Sequence, residues 1–257
     1  MKLASLFAMS ILLCVFVASF SFISPVKAQD PLRVVIPTNG KLFQDEGYYA
    51  IWGEVENRGD VPAGSISITA TYKEAEGFNL GIWVTDLMLP VVHPGEIVPF
   101  EILVSDAWID EIADYTLDLT WSPTDALPTG LEIVSNSSSV AGGVMNVNGE
   151  IQNIGTEPTT GITVAAAFYD ASGLVVATAS SASIAGPFNP GENATFNIAL
   201  EYTDLVPEVQ SYSLIAQSQE YAVIPEFPIW TSMLLILIML TVATAISKRR
   251  LLRTPIH

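Results

Sequence analysis

One heptapeptide occurs twice in this chain. Gly53-Glu54-Val55-Glu56-Asn57-Arg58-Gly59 returns as Gly149-Glu150-Ile151-Gln152-Asn153-Ile154-Gly155, 96 residues later. The same offset pairs Pro62 with Pro158, Gly77 with Gly173, Pro94-Gly95-Glu96 with Pro190-Gly191-Glu192, and Phe100 with Phe196. After one inserted residue, Tyr115 and Leu117 meet Tyr212 and Leu214. Matches held in register this far mean duplication of one structural unit, so a fold assigned to one copy must serve the other.

Each copy reads as β. Ile66, Ile68, Ala70 and Tyr72 alternate with Ser65, Ser67, Thr69 and Thr71, and Ile162, Val164, Ala166 and Phe168 keep the same phase. That period of two predicts strands with one buried face. Asn57-Arg58-Gly59-Asp60 and Asn153-Ile154-Gly155-Thr156 read as turns in which Asn and Gly take positive φ. His93-Pro94-Gly95-Glu96 and Asn189-Pro190-Gly191-Glu192 read as Pro-Gly turns that introduce the next strand. A short helical turn is predicted between Asp106 and Asp114, capped by Ser105 or Asp106. The fold class is all-β, one antiparallel sandwich per repeat, over residues 29–126 and 127–224, with Ser122–Gly130 as linker.

Both ends read as membrane segments. Lys2, the apolar run from Leu3 to Ile23 and Val26-Lys27-Ala28 make residues 1–28 a signal peptide cut before Gln29, the alternative being an uncleaved anchor. Cys14 lies inside that segment. Ile229–Ser247 is free of charge and, at the helical rise, reaches about 28 Å, enough to span a bilayer core. Trp230 sits at its edge, and residues 248–257 follow as a basic tail with Lys248, Arg249, Arg250 and Arg253. The positive-inside rule makes that tail cytoplasmic and the protein a single-pass type I membrane protein with an extracellular ectodomain.

Between Gln29 and Ile224 only Arg33, Lys41, Arg58 and Lys73 are basic, against 26 acids. Such a surface excludes a nucleic-acid backbone as partner. A nucleophile–base pair is also missing. The one ectodomain histidine, His93, stands where the other repeat has Asn189, which marks it as a turn former. Gly142-Gly143 lacks the helix and Lys of a phosphate loop. The chain therefore reads as no enzyme and needs no cofactor. Calcium is the one metal considered, because it takes oxygen ligands in irregular geometry. Asp106, Asp110, Glu111 and Asp114 are its candidates, with Asp204 and Glu208 in the matching segment of the second repeat. Asn136-Ser137-Ser138 and Asn193-Ala194-Thr195 are glycosylation sequons.

The order Gly-Glu-Ile-Gln-Asn-Ile-Gly, a strand ending Ala167-Phe168-Tyr169-Asp170, Gly173, Pro190-Gly191-Glu192 and Phe196 resembles the FxLYD family. Its relatives include CARDB-type adhesion modules of prokaryotic surface proteins. In the first repeat, Tyr72-Lys73-Glu74 departs from the Tyr-Asp element. The resemblance implies two tandem Ig-like sandwiches that bind or space and carry no shared active site. Pro225-Glu226-Phe227-Pro228, followed by the apolar span and basic tail, is similar to the PEF-type sorting signal of archaeal surface proteins. That resemblance implies an archaeosortase as processing partner. The alternative is a retained transmembrane anchor.

All four ectodomain tryptophans fall in the first repeat; Trp52, Trp83, Trp108 and Trp121 map to Asn148, Ala179, Asp204 and Ser218. Trp52 lies on the face opposite Tyr49, Ile51 and Val55, and reads as an exposed recognition residue, with the second repeat as spacer. The opposing reading buries these rings under loops or at an edge. The functional expectation is a non-catalytic surface glycoprotein serving adhesion, envelope structure or ligand presentation, with envelope glycan or a surface protein as partner. The alternative is an extracytoplasmic accessory subunit docking on a membrane transporter or secreted enzyme complex.

Overall fold

The structure is a computed structural model describing residues 32–35, 41–43 and 47–223. The signal sequence, the Pro225–Pro228 motif, the apolar span and the basic tail lie outside the described residues. Within them the chain is nearly all β. The first repeat supplies β1 (Leu32–Val35), β2 (Lys41–Phe43), β3 (Tyr48–Asn57), β4 (Ala63–Lys73), β5 (Asn79–Asp86), β6 (Val91–Val92), β7 (Ile97–Val104) and β8 (Asp114–Pro123). The second supplies β9 (Thr129–Ala141), β10 (Val144–Asn153), β11 (Thr163–Tyr169), β12 (Val175–Ser180), β13 (Asn193–Leu200), β14 (Ser211–Gln217) and β15 (Ala222–Val223).

Pairing repeats with the sequence. β3 lies between β1 and β7, facing a sheet in which β4 lies between β5 and β8. In the second repeat β10 lies between β9 and β13, and β11 between β12 and β14. There the two halves join through β15, antiparallel to β14 and parallel to β9. In β4 the alternation read from sequence is observed, with Ile66, Ile68, Ala70 and Tyr72 buried; in β11 the expectation of one buried face is corrected, because Ala165 and Ala167 are buried along with Val164, Ala166 and Phe168. Tyr221 fastens the last strand. Its ring occupies the space where side chains at Gly130 and Gly155 would stand, and its hydroxyl accepts the N–H groups of Thr156 and Glu157 at 3.2 and 2.9 Å.

The duplicated residues build duplicated bonds. Asn57 is buried; its Nδ2 donates to the carbonyls of Val61 and Val92, and its Oδ1 accepts the Gly59 N–H. Asn153 does the same with Glu157, Phe188 and Gly155. Glu96 accepts the His93 N–H as Glu192 accepts that of Asn189. Phe100 lies across the ladder over Gly53, where a Cβ would come within 2.7 Å of its ring, and Phe196 lies over Gly149 in the same way. The small residue makes room for the ring, and the ring covers a strand position that has no side chain of its own.

Two further local expectations are corrected. Positive φ does not fall on Asn57, Gly59, Asn153 or Gly155; the matched positions that take it in both repeats are Gly77 with Gly173 and Gly95 with Gly191. The asparagines act as buried hydrogen-bond hubs and need no left-handed backbone. A helical turn does form, as a 3-10 turn at Ile109–Glu111 matched by one at Val206–Glu208, but no side chain caps the first; Trp108 precedes it, and Asp106 Oδ1 binds the adjacent Ala107 N–H instead. Replacing a buried hub strands two carbonyls and one N–H, so Asn153→Ala is expected to cost about 2–4 kcal/mol. Urea unfolding should show a lower midpoint with an unchanged slope.

Candidate functional site

The two repeats meet face to face, and a set of polar side chains crosses this joint. β3 is buried on both faces along most of its length, and so is β11. One face of each serves its own core. The other face of β3 and β7 lies on β11 and β12. Ala50 and Trp52 belong to the apolar cluster of the second repeat, and Ala165 belongs to that of the first. Alanine on the facing strands lets the sheets approach closely, and hydroxyl-to-backbone contact becomes possible. Thr178 Oγ1 donates to the Phe100 carbonyl at 3.1 Å.

Further side chains clamp the joint from its sides. The Gln217 amide holds both backbone groups of Val91: Oε1 accepts the N–H at 3.2 Å, and Nε2 donates to the carbonyl. The Leu127 N–H donates to His93 Nε2 at 3.0 Å, which leaves the proton on Nδ1, facing Glu96 Oε2 at 2.9 Å. His93 thus ties the connecting segment to the Pro-Gly turn and is occupied at both nitrogens. Lys41 reaches Asp204 at 3.0 Å.

At the centre stand two carboxylates answered by hydroxyls. Tyr169 donates to Glu54 at 2.6 Å. Glu101 Oε1 accepts from Tyr202 at 2.6 Å and from Trp52 Nε1 at 2.7 Å. The Trp52 and Tyr202 rings meet edge to face, 5.3 Å between centroids. Burial pushes both carboxyls above the ordinary range, and the hydrogen bonds from Tyr169, or from Tyr202 and Trp52, pull back. Burial and the neighbouring Glu54 carboxylate in turn hold the Tyr169 hydroxyl protonated. A cleft of about 240 Å³ opens beside Glu101, lined also by Met88, Thr178, Glu201 and Tyr202. Its chemistry suits hydrogen-bond donors or a cationic group.

No family model and no curated protein matches the chain. Among solved structures it is similar to IRMA from Escherichia coli, at 14% identity and TM-score 0.26, over 39% of this chain and 87% of that one. It is similar to the exo-chitosanase CsxA of Amycolatopsis orientalis at 13% identity and TM-score 0.27, over 75% of this chain and 26% of that one. Red sea bream transglutaminase gives 9% identity and TM-score 0.24, over 75% of this chain and 30% of that one. The chain thus spans a minor part of both enzymes.

The remaining candidates are scattered over the surface. Trp52 is corrected: it is only 1% exposed, because the face it shares with Ala50 is covered by the second repeat. It is a joint residue and presents no recognition surface. Trp108 and Trp121 pack against the first core, and Trp83 is 40% exposed on β5. Asp106 and Asp114 each bind a neighbouring backbone N–H. Asp110 and Glu111 lie in the 3-10 turn. Among the described residues no group of three or more acidic, His or Cys side chains is arranged to hold a metal. Both sequon asparagines are exposed; Asn136 accepts from the Tyr212 hydroxyl, and Asn193 donates to Glu150.

Truncating Trp52→Ala removes a ring from a buried joint and should cost about 3–5 kcal/mol, read as a lowered melting temperature. The joint is also expected to respond to pH. A carboxyl raised in the folded state contributes stability that is fully present below its unfolded pKa and lost as pH rises through the folded value. The double variant E54Q/E101Q should therefore melt near the parent at about pH 4 and above it at about pH 8. Melting temperatures across that range test the sign.

Proposed function

We propose that the chain is a non-catalytic cell-surface protein whose two repeats are immunoglobulin-like sandwiches fused into one presenting body. The observation that carries this reading is the joint. A duplicated unit docked through Trp52, Glu54, Glu101, Tyr169, Tyr202 and Thr178 behaves as one rigid piece, which is what a spacer or ligand-presenting ectodomain requires. The strand order supports the immunoglobulin-like assignment. In both repeats the central strand of each sheet is flanked in the same way, and β15 closes the second repeat beside β9 in parallel. His93, engaged at both ring nitrogens, is unsuited to act as a base.

In this reading the signal sequence exports the body, and the Ile229–Ser247 span holds it outside the membrane in type I orientation. The Pro225–Pro228 motif then directs exchange of the span for a lipid by an archaeosortase. The acidic surface keeps neighbouring copies apart and suits a cation-rich exterior. Adhesion or envelope structure is the resulting role.

Protease added to intact host cells is expected to remove the acidic body and, in precursor that still carries the span, to spare the tail beginning at Lys248. A protected body with a digested tail would reverse the orientation. Intact mass of the mature protein reads the processing step: loss of everything after the motif supports sorting, and retention of His257 assigns a permanent anchor.

A further inference from the structure

β5 is an edge strand whose one guard is a β-bulge at Leu80, close to its start. It pairs with β4 alone among the described strands, and from Phe78 to Thr85 it carries no charge and no proline. Phe78 is 70% exposed, Ile82 63% and Val84 57%. Native sheets blunt such edges with lysine, proline, inward-pointing charge or a covering element. The outer face of the matching strand β12 is covered, with Thr178 buried and β12 lying against β3 and β7, while its hydrogen-bonding edge, like that of β5, pairs with one strand only. The outer face at this position in the fold is thus used once within the chain and left open once, and the edge is open in both repeats.

Charge decides what can fill it. Glu74 and Glu76 stand in the hairpin before β5, where Lys73 of β4 is matched on its other side by Asp114, and Asp86 ends the strand. Beyond β4, Asp114 and Asp118 add to the same side of the molecule. Two copies of β5 set edge to edge would oppose acids in either direction: Glu76 against Glu76 if parallel, Glu76 against Asp86 if antiparallel. A second copy is therefore disfavoured, and a partner with basic ends is favoured.

We infer that the free edge of β5 accepts an extended apolar segment of another protein, flanked by Lys or Arg, as an added β-strand. β5 is about 27 Å long at the usual rise, so the segment places about six uncharged residues between its basic ends. Main-chain hydrogen bonds supply affinity. Val84 and Ile82, opposite Thr69 and Thr71, offer apolar neighbours on one face, and Trp83, opposite Ala70, offers one on the other. The basic ends meet Glu74 and Glu76 on one side and Asp86 on the other. This inference is independent of how the chain is anchored.

The test uses the full chain and two labelled peptides with one alternating Val/Thr core, ended by lysine pairs or by glutamate pairs. Fluorescence anisotropy should show the lysine-ended peptide binding at least about tenfold tighter, with the preference shrinking as salt rises. The variant I82K/V84K changes two exposed side chains, so its melting temperature should stay at the parent value. Its affinity for the lysine-ended peptide should fall by at least about tenfold. Equal binding of the two peptides, binding of neither, or full binding by the variant would overturn the inference. So would a dimer of the chain that I82K/V84K dissociates, which would make β5 a self-pairing edge.

Discussion

Close approach of two sheets through alanine is the constraint on which the rest of the structure depends. Ala50 on β3 and Ala165 and Ala167 on β11 are all buried, and none is large enough to hold the backbones apart. Thr178, the cross-strand partner of Ala167, reaches the Phe100 carbonyl across the joint. Trp52 stands in the same joint with its ring against Tyr202, and its indole N–H fixes Glu101 in turn. The polar contacts of the joint follow from that distance; they do not create it. A sheet pair held this way loses several bonds at once when it opens, and the two repeats are coupled.

The sequence made the duplication and the alternating strands plain, because both are periodic signals written within one copy. It also placed Trp52 on the correct face of its strand. What it did not show was that the face is covered, since the cover comes from a segment more than a hundred positions away. One signal was present. The run Val164-Ala165-Ala166-Ala167-Phe168 does not alternate apolar with polar, and strands without alternation are buried on both sides. The asparagine hubs were misread for a related reason. Asn beside Gly is a common turn pair, and only the tertiary structure reveals that the amide is turned inward onto carbonyls from another loop. The carboxylate–tyrosine pairs across the joint had no local signature at all.

One divergence between the copies falls where the copies touch. Trp52 and Glu101 are cross-strand partners in the joint; at the matching places, Asn148 and Asn197 are cross-strand partners on an exposed face. There Asn197 Nδ2 donates to Asn148 Oδ1 at 2.8 Å, giving a small ladder of amides. A tryptophan–acid pair made for a covered surface has a wettable amide pair as its twin. That difference leaves the outer face of β10 and β13 wettable at the place where its counterpart in the joint is covered.

The parallel contact between β9 and β15 has a mechanical consequence. β9 receives the chain from the first repeat at its amino end, and β15 passes it onward at its carboxyl end. Tension drawn through the chain therefore pulls these two strands in opposite directions along their length, which loads their bonds together in shear and does not peel them one by one. Tyr221, wedged at Gly130 and Gly155, stands directly in that line of pull. Stretching the molecule should meet its stiffest resistance at this short clasp, while the broad sheets on either side carry little of the load.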